Sequence, residues 1–211
     1  MALLFGAGAN AGGSLLVDDA TITPAGRCQI ETWVRAFSPG QELSIAPACN
    51  RFDTEFSLGI TQFFGPEYGP ILSLDAKHLW RDFEGDRFGI GTSAGITYST
   101  ETDRIVAWTV NVPASFSLDE EQRLMVHVNL GWLELRGARG RATGGVGIEH
   151  ALAENFSLIA EFYAQDNGLR VGQLGFNYAL SDSMNLDVLI GYDDAIDNAP
   201  WVTLGLNVLM Q

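Results

Sequence analysis

Apolar and polar residues alternate along most of this chain. In residues 156–164 the apolar side chains of Phe156, Leu158 and Phe162 alternate with Ser157 and Glu161. A period of two is typical of a β-strand whose two faces meet different surroundings. No segment shows helical periodicity over the length that a globular helix needs, so the sequence predicts an all-β fold.

The alternating pattern recurs in about twelve runs, each about ten residues long and bounded by turn-forming residues. An even number of strands is typical of closed barrels in bacterial outer membranes. The predicted strands are 27–36, 42–49, 53–63, 70–80, 88–98, 104–116, 123–133, 141–150, 156–164, 169–179, 184–192 and 201–210.

The apolar faces of these strands favour contact with lipid over burial in a soluble β-sandwich. Their centres are uncharged, and the polar faces carry Gly, Ser, Thr and Asn rather than the Lys and Glu of a soluble surface. Aromatic residues near strand ends suit the two membrane interfaces: Trp80, Phe88, Tyr98, Phe116, Trp132, Phe156, Tyr178 and Tyr192. We therefore predict a closed antiparallel up-and-down transmembrane β-barrel of about 12 strands, with a soluble sandwich as the alternative.

The charge of the chain excludes one class of partner. A net charge of −14 and a pI of about 4.4 argue against nucleic acid, which requires clusters of Lys and Arg. Lipid of the outer membrane and a small-molecule solute are the partners that remain, with the chain as a monomer or a weak homo-oligomer.

The first seventeen residues carry no charge. Ala9, Asn10 and Ala11, followed by Gly12, have the small-residue spacing of a signal-peptidase site. We predict that residues 1–11 are the remnant of a signal peptide, that 12–26 are a periplasmic lead-in, and that 27–211 form the barrel. An apolar first strand or a flexible tail is the alternative for the first residues.

The two cysteines fall on neighbouring predicted strands. If residues 38–41 form the hairpin turn, antiparallel pairing places Cys28 and Cys49 opposite each other or one diagonal step apart. An exported protein can form the disulfide that this placement allows. Two free thiols are the alternative.

The polar faces predict a lumen with charges of both signs, in which acidic residues slightly outnumber basic ones. Twelve strands enclose an interior between that of a filled eight-stranded barrel and that of a sixteen-stranded channel. The sequence is compatible with two alternatives: a narrow passage with a weak cation preference, or a closed, salt-bridged interior. The predicted lumen-lining residues are Glu31, Arg35, Asp75, Lys77, Arg123, His127, Arg141, Glu149, Glu161, Tyr163 and Asp187.

The sequence contains no pattern that predicts catalysis, a metal or a cofactor. The three histidines, His78, His127 and His150, lie on separate strands without metal-binding spacing. The chain has no Gly-x-Ser-x-Gly motif, and neither outward-facing histidine has a serine two residues away on its face. A lipid-modifying enzyme of the outer leaflet is therefore the least favoured function.

Residues 17–35 resemble the start of a family of bacterial outer-membrane proteins described as meta-pathway phenol-degradation proteins or transporters. The resemblance lies in Asp19, Ala20 and Thr21, then Pro24 and Gly26, and then Gln29 and Glu31. It implies a barrel in the outer membrane of a Gram-negative bacterium and aromatic or other hydrophobic compounds as solutes. Together with the lumen, it predicts a narrow passive channel or transporter for small solutes, with a closed structural or adhesion barrel as the rival.

Overall fold

Twelve antiparallel strands form one closed barrel in the computed structural model, which describes residues 14–38, 40–65, 69–82, 87–194 and 200–210. Each strand pairs with its neighbours in the chain, and the first strand closes the barrel by pairing with the last. The strands are β1 (Cys28–Phe37), β2 (Gly40–Arg51), β3 (Thr54–Phe64), β4 (Ile71–Arg81), β5 (Phe88–Ser99), β6 (Arg104–Ser117), β7 (Leu124–Leu135), β8 (Arg141–Ala153), β9 (Phe156–Gln165), β10 (Arg170–Ser181), β11 (Met184–Asp193) and β12 (Pro200–Met210).

The closed barrel confirms the predicted fold class. Closure pairs both edges of every strand, which a sheet in lipid requires because hydrocarbon offers no hydrogen-bonding partner. The first hairpin is tighter than predicted, since Gly40 pairs with Phe37 and Gln41 with Ala36. The strand β2 therefore begins two residues earlier than the predicted 42.

The outer surface of the barrel is an apolar band. Large apolar side chains near strand centres are exposed to the surroundings, among them Leu130 at 68% and Leu204 at 53%. The described residues contain no helix that is long and apolar enough to cross a membrane. The outward face has the composition that a hydrocarbon environment requires.

The two rims of the barrel differ in what they carry. The terminal rim holds the start of β1, the end of β12 and the ends of the strands that are joined in the pairs β2–β3, β4–β5, β6–β7, β8–β9 and β10–β11. The distal rim holds the strand ends joined in the pairs β1–β2, β3–β4, β5–β6, β7–β8, β9–β10 and β11–β12. Three of the five terminal-rim connectors have two residues, so the convention of short periplasmic turns predicts that this rim faces the periplasm.

A disulfide joins β1 and β2 at the terminal rim. Cys28 and Cys49 are direct partners in the β1–β2 ladder, with Cα atoms 4.0 Å apart, and they form the disulfide. The bond therefore lies at the point where the chain enters the barrel wall.

Residues 14–26, which we call the lumenal segment, run from inside the barrel at Ser14 to the exposed terminal rim at residues 24–26. Ser14, Val17, Asp18 and Ala20 are all at most 2% exposed, and they contact inward side chains from strands around the wall. The sequence predicted residues 12–26 as a periplasmic lead-in to the barrel, and the structure describes residues 14–26 of that range. Many inward positions of the twelve strands are glycines, which have no side chain. They leave space that this segment fills. The predicted signal-peptide remnant, residues 1–11, lies outside the described residues.

We expect the replacement of Leu204 by Arg to lower the free energy of unfolding in lipid vesicles by about 2–4 kcal/mol. Leu204 pairs with Val34 and Val188 halfway along their strands, so the new charge would lie near the bilayer midplane. Denaturant titration measures the loss. The matched control is Tyr192→Arg, close to the distal rim, where the same charge costs about 0–1 kcal/mol. Equal losses for the two variants would mean that the apolar band does not face lipid.

Candidate functional site in the barrel lumen

Glu161 on β9 holds the backbone of the lumenal segment. Its carboxylate accepts hydrogen bonds from the backbone N–H groups of Leu16 and Val17, each at 3.0 Å. Gln173 on the neighbouring β10 donates to the same carboxylate at 2.6 Å and also donates to the carbonyl of Ser14 at 3.1 Å. One buried carboxylate therefore accepts from two consecutive peptide groups and is itself held by a cross-strand amide.

Asn129 on β7 pairs with both backbone groups of one residue. Its side-chain oxygen accepts from the N–H of Asp18 at 2.7 Å, and its side-chain nitrogen donates to the carbonyl of Asp18 at 2.6 Å. Asn111 on β6 donates to the same side-chain oxygen at 3.2 Å, which helps to orient the amide. This two-point contact depends only on the backbone of Asp18.

Ser115 on β6 continues the series of contacts. Its hydroxyl oxygen accepts from the backbone N–H of Ala20 at 2.7 Å and lies 2.8 Å from Nδ1 of His127. The oxygen accepts from Ala20, so its own hydrogen is available to donate to Nδ1 of His127. The predicted lumen residue His127 thus supports the segment through a serine.

Where it leaves the lumen, the segment contacts side chains of β2 and β3. Glu55 accepts from the backbone N–H of Thr23 at 2.7 Å and also from the Thr23 hydroxyl. Asn50 donates to the carbonyl of Thr23 at 2.7 Å. These contacts again satisfy both backbone groups of one residue.

A buried ion pair holds the segment at a further point of the wall, on β4. Nζ of Lys77 on β4 lies 2.6 Å from Oδ1 of Asp18 and 3.3 Å from Oδ1 of Asp19. Lys77 is 1% exposed and Asp18 is 0% exposed. Asp18 is therefore held by its backbone at β7 and by its side chain at β4, so it bridges two parts of the wall that are three strands apart.

Inward glycines make room for the segment. A Cβ at Gly145 would lie 2.9 Å from Cγ2 of Val17, and a Cβ at Gly205 would lie 3.0 Å from Cβ of Ser14. Real side chains do not pack that closely without a shift of their neighbours. The absence of side chains at these positions shapes the lumen to the segment.

Four predicted lumen residues act near or on the segment: Lys77, His127, Glu161 and Asp187. The carboxylate of Asp187 on β11 accepts from the hydroxyl of Ser14 at 2.6 Å, and Asn177 donates to its other oxygen at 2.6 Å. This contact holds the first described residue of the segment.

The other inward residues on the predicted list lie elsewhere in the lumen. Near the distal rim, Arg35 pairs with Glu42 at 3.1 Å, and Arg141 donates to Gln165 at 3.0 Å. Gln165 also donates to the hydroxyl of Tyr163 at 3.2 Å.

Glu31 lies near the terminal rim, where it accepts from Gln29 at 3.0 Å. Asp75 packs against Gly95, where an added Cβ would overlap its carboxylate. Glu149 is half-buried on the inward face of β8. The structure therefore does not bring the predicted residues together as one cluster.

Arg123 does not line the lumen. It precedes β7 in the 118–123 connector, its side chain is 62% exposed, and it pairs with Glu121 at 2.6 Å and with Asp119 at 3.8 Å. The N–H of Leu124 donates to Asp119 at 3.0 Å and lowers the pKa of that carboxyl below its ordinary value. Alternation predicted the wrong location because β7 begins one residue later than expected.

Several residues that hold the segment are absent from the predicted lumen list. They are Asn50, Glu55, Asn111, Ser115, Asn129 and Gln173. Most of these residues are neutral, whereas the residues predicted to line a passage are mostly charged. The alternation of the strands places these residues on the inward face, but nothing in the sequence indicated that a peptide backbone would be their partner.

Two cavities border the lumenal segment in the part of the lumen that the structure describes. A cavity of about 240 Å³ lies between the segment and the wall near the terminal rim, with Glu31, Lys77, Asn185 and Asn207 in its lining. A second cavity of about 20 Å³ beside Leu16 has room for about one water molecule. No group of three or more potential metal-ligating side chains occurs among the described residues.

We expect Lys77→Met to lower the free energy of unfolding by about 3–5 kcal/mol, because it leaves Asp18 buried without its cation. The double variant Lys77→Met/Asp18→Asn should recover most of that loss, since neither charge remains. Arg123→Met is the matched control: its ion pairs are exposed, so its loss should stay below about 1 kcal/mol. Denaturant titration of the refolded proteins measures all three, and equal losses for the two single variants would contradict a buried bridge.

Solved structures of porins share this fold. A KdgM porin in complex with disordered oligogalacturonate superposes with a TM-score of 0.73 at 9% identity, covering 87% of this chain and 99% of that one. A NanC porin superposes with a TM-score of 0.65 at 9% identity, covering 86% and 98%. Omp33 of Acinetobacter baumannii gives 0.59 at 6% identity, covering 88% and 98%. At such identities the likeness shows the fold alone.

The remaining comparisons concern sequence. No curated protein matches the chain. A family model matches residues 1–210, and it is not that of the phenol-degradation family which residues 17–35 resemble. The comparisons therefore give no support to that resemblance or to its aromatic solutes. The match spans almost the whole sequence, and the chain belongs to the family described as "Uncharacterised conserved protein UCP029691".

Proposed function

We propose that this protein is a passive channel of the bacterial outer membrane for small polar solutes, and that the lumenal segment is its gate. The apolar outer band and the barrel fold shared with porins support the location. The observation that carries the proposal is the lumenal segment itself, which occupies the lumen through side-chain hydrogen bonds from the wall. In this proposal, the arrangement with the segment in the lumen is the closed state.

The way in which the segment is attached supports a gate over a permanent core. No residue from 14 to 26 belongs to a strand, so the segment can leave without breaking the closed ladder. A neutral hydrogen bond contributes only about 0.5–1.5 kcal/mol and a bond to a charged group such as Glu161 about 1.5–3 kcal/mol, because water replaces the partner that is lost. Water entering the lumen could therefore compete for the polar groups that hold the segment.

The composition of the lumen narrows the class of solute. The 240 Å³ cavity is lined mainly by polar side chains and opens beside the terminal rim, as an entrance for small polar molecules would. Acidic inward side chains predominate, which disfavours acidic saccharides such as the oligogalacturonate named for the KdgM porin. Aromatic or hydrophobic solutes stay a prediction of the resemblance alone.

A closed structural barrel is the second candidate function. The filled lumen favours it, as do connectors of two to six residues on both rims. In that case the segment would be a core that stabilises the wall, and no condition would make the lumen conduct.

A redox-controlled lock can test the gate. A Cβ at Gly147 would lie 3.4 Å from Cβ of Val17, near the lower end of the spacing of about 3.5–4.5 Å in disulfides. We expect the oxidised Val17→Cys/Gly147→Cys variant to give no unitary steps in planar bilayers and the reduced variant to give them. The unsubstituted protein under the same reductant controls for loss of the Cys28–Cys49 disulfide.

A second variant raises the open probability without cysteines. Glu161→Ala removes the acceptor of two backbone N–H groups, and bonds to a charged group contribute about 1.5–3 kcal/mol each. We expect the open probability to rise about tenfold or more, since 1.4 kcal/mol corresponds to a factor of ten. Steps from the oxidised lock would show that the segment is not the gate. If neither a folded Glu161→Ala variant nor the reduced lock gives unitary steps, the protein is a closed structural barrel.

We expect the open channel to prefer cations weakly. Among the described strand residues, the inward acids outnumber the inward bases Arg35, Lys77 and Arg141; these acids are Glu31, Glu42, Glu55, Asp75, Glu149, Glu161, Asp187 and Asp193. The reversal potential in a KCl gradient measures the preference. Glu31→Gln, in the lining of the entrance cavity, should reduce it, whereas Glu154→Gln, exposed in the 154–155 turn, should leave it unchanged. A clear anion preference would contradict the charge assignment of the lumen.

A further inference from the structure

The wall of the lumen recognises the lumenal segment mainly through its backbone. Glu161 accepts from two consecutive N–H groups, and Asn129 contacts both the N–H and the carbonyl of one residue. The N–H of Ala20 and both backbone groups of Thr23 are held in the same way by other wall side chains. Every polypeptide carries these groups at the same spacing, so nothing in this set of contacts is restricted to residues 14–23.

Three sites between the backbone contacts add selectivity for side chains. Lys77 binds the carboxylate of Asp18 at 2.6 Å. Val17 lies over Gly145 and Gly147, where the wall has no side chains, and Ala20 is wholly buried beside Ser115. The pattern that fits is an apolar residue followed directly by an acidic residue, with a small residue two positions after the acid.

We propose that the lumen is a peptide-binding site, and that the solutes it takes up when the lumenal segment is displaced are short extended peptides with this pattern. The proposal rests on the proposed function, because it requires the segment to leave the lumen, and it names the substrate class of the same site. The two-point contact of Asn129 needs a donor and an acceptor side by side, and the backbone of a peptide residue supplies both as an N–H and a carbonyl. The lumenal segment then acts as an internal competitor of the peptide.

The test uses the full chain, which is folded before it is cut. Residues 24–27 are exposed at the terminal rim, so a protease site inserted after Ala25 can be cleaved in the refolded barrel. Cleavage turns the segment into a free peptide. The probe is a fluorescent peptide with the sequence of residues 14–23, SLLVDDATIT, and its binding is followed by fluorescence anisotropy in detergent.

We expect the probe to exchange saturably into the cut barrel and to bind the uncut barrel at least tenfold more weakly. An N-methyl group on the probe residue equivalent to Asp18 removes the hydrogen donated to Asn129 and should weaken binding about tenfold. In a cut Asn129→Ala barrel, the same methylation should have little effect. A peptide of scrambled order controls for adhesion of apolar residues to detergent or to the outer band.

Three outcomes would overturn the inference: equal binding of the scrambled peptide, an equal cost of methylation with and without Asn129, or no exchange of the probe into the cut barrel. Conductance separates this result from the proposed function. If the cut barrel conducts and the probe neither binds nor blocks it, the proposed channel function is supported and the peptide-binding site is refuted. If the probe binds with the expected selectivity but no variant conducts, the peptide site stands and the channel falls.

Discussion

The interior of a closed twelve-stranded barrel has to be filled, either by water or by protein. Strand number sets the width of the barrel, and at twelve strands the inward side chains leave space that smaller barrels do not have. Here the space is widened by inward glycines such as Gly145, Gly147 and Gly205, and the chain occupies it with its own residues 14–23. The hydrogen bonds, the bridging ion pair and the entrance cavity all follow from this one constraint.

The sequence predicted the wall of the barrel well because each strand reports its environment locally. A residue in contact with lipid must be apolar and its neighbour must not be, so the alternation around Leu130 or Leu204 is visible without knowledge of the fold. The same alternation located Cys28 and Cys49 on adjacent strands. It was wrong at Arg123, where a shift of one residue at the strand end moved the side chain from the lumen to a connector.

There is a physical reason why the contents of the lumen could not be predicted from the sequence. Nothing in residues 14–26 alternates like a strand, and the contacts of Asp18 with Asn129 and Lys77 join parts of the chain far apart in sequence. Side chains that bind a backbone also leave no pattern in the partner, since any residue supplies the same N–H and carbonyl. Polarity and inward parity could be read for Asn129 and Ser115, but their partner could not.

The disulfide at the start of β1 sets how far the lumenal segment can move. It anchors Cys28 to the wall, so residues 14–26 remain tied to the terminal rim even when they are fully displaced. Extended, they span roughly 45 Å, and a tether of that length keeps the free end at an effective concentration in the millimolar range. Reclosure is then a fast intramolecular event, and a free ligand has to outcompete a local concentration that dilution of the protein cannot lower.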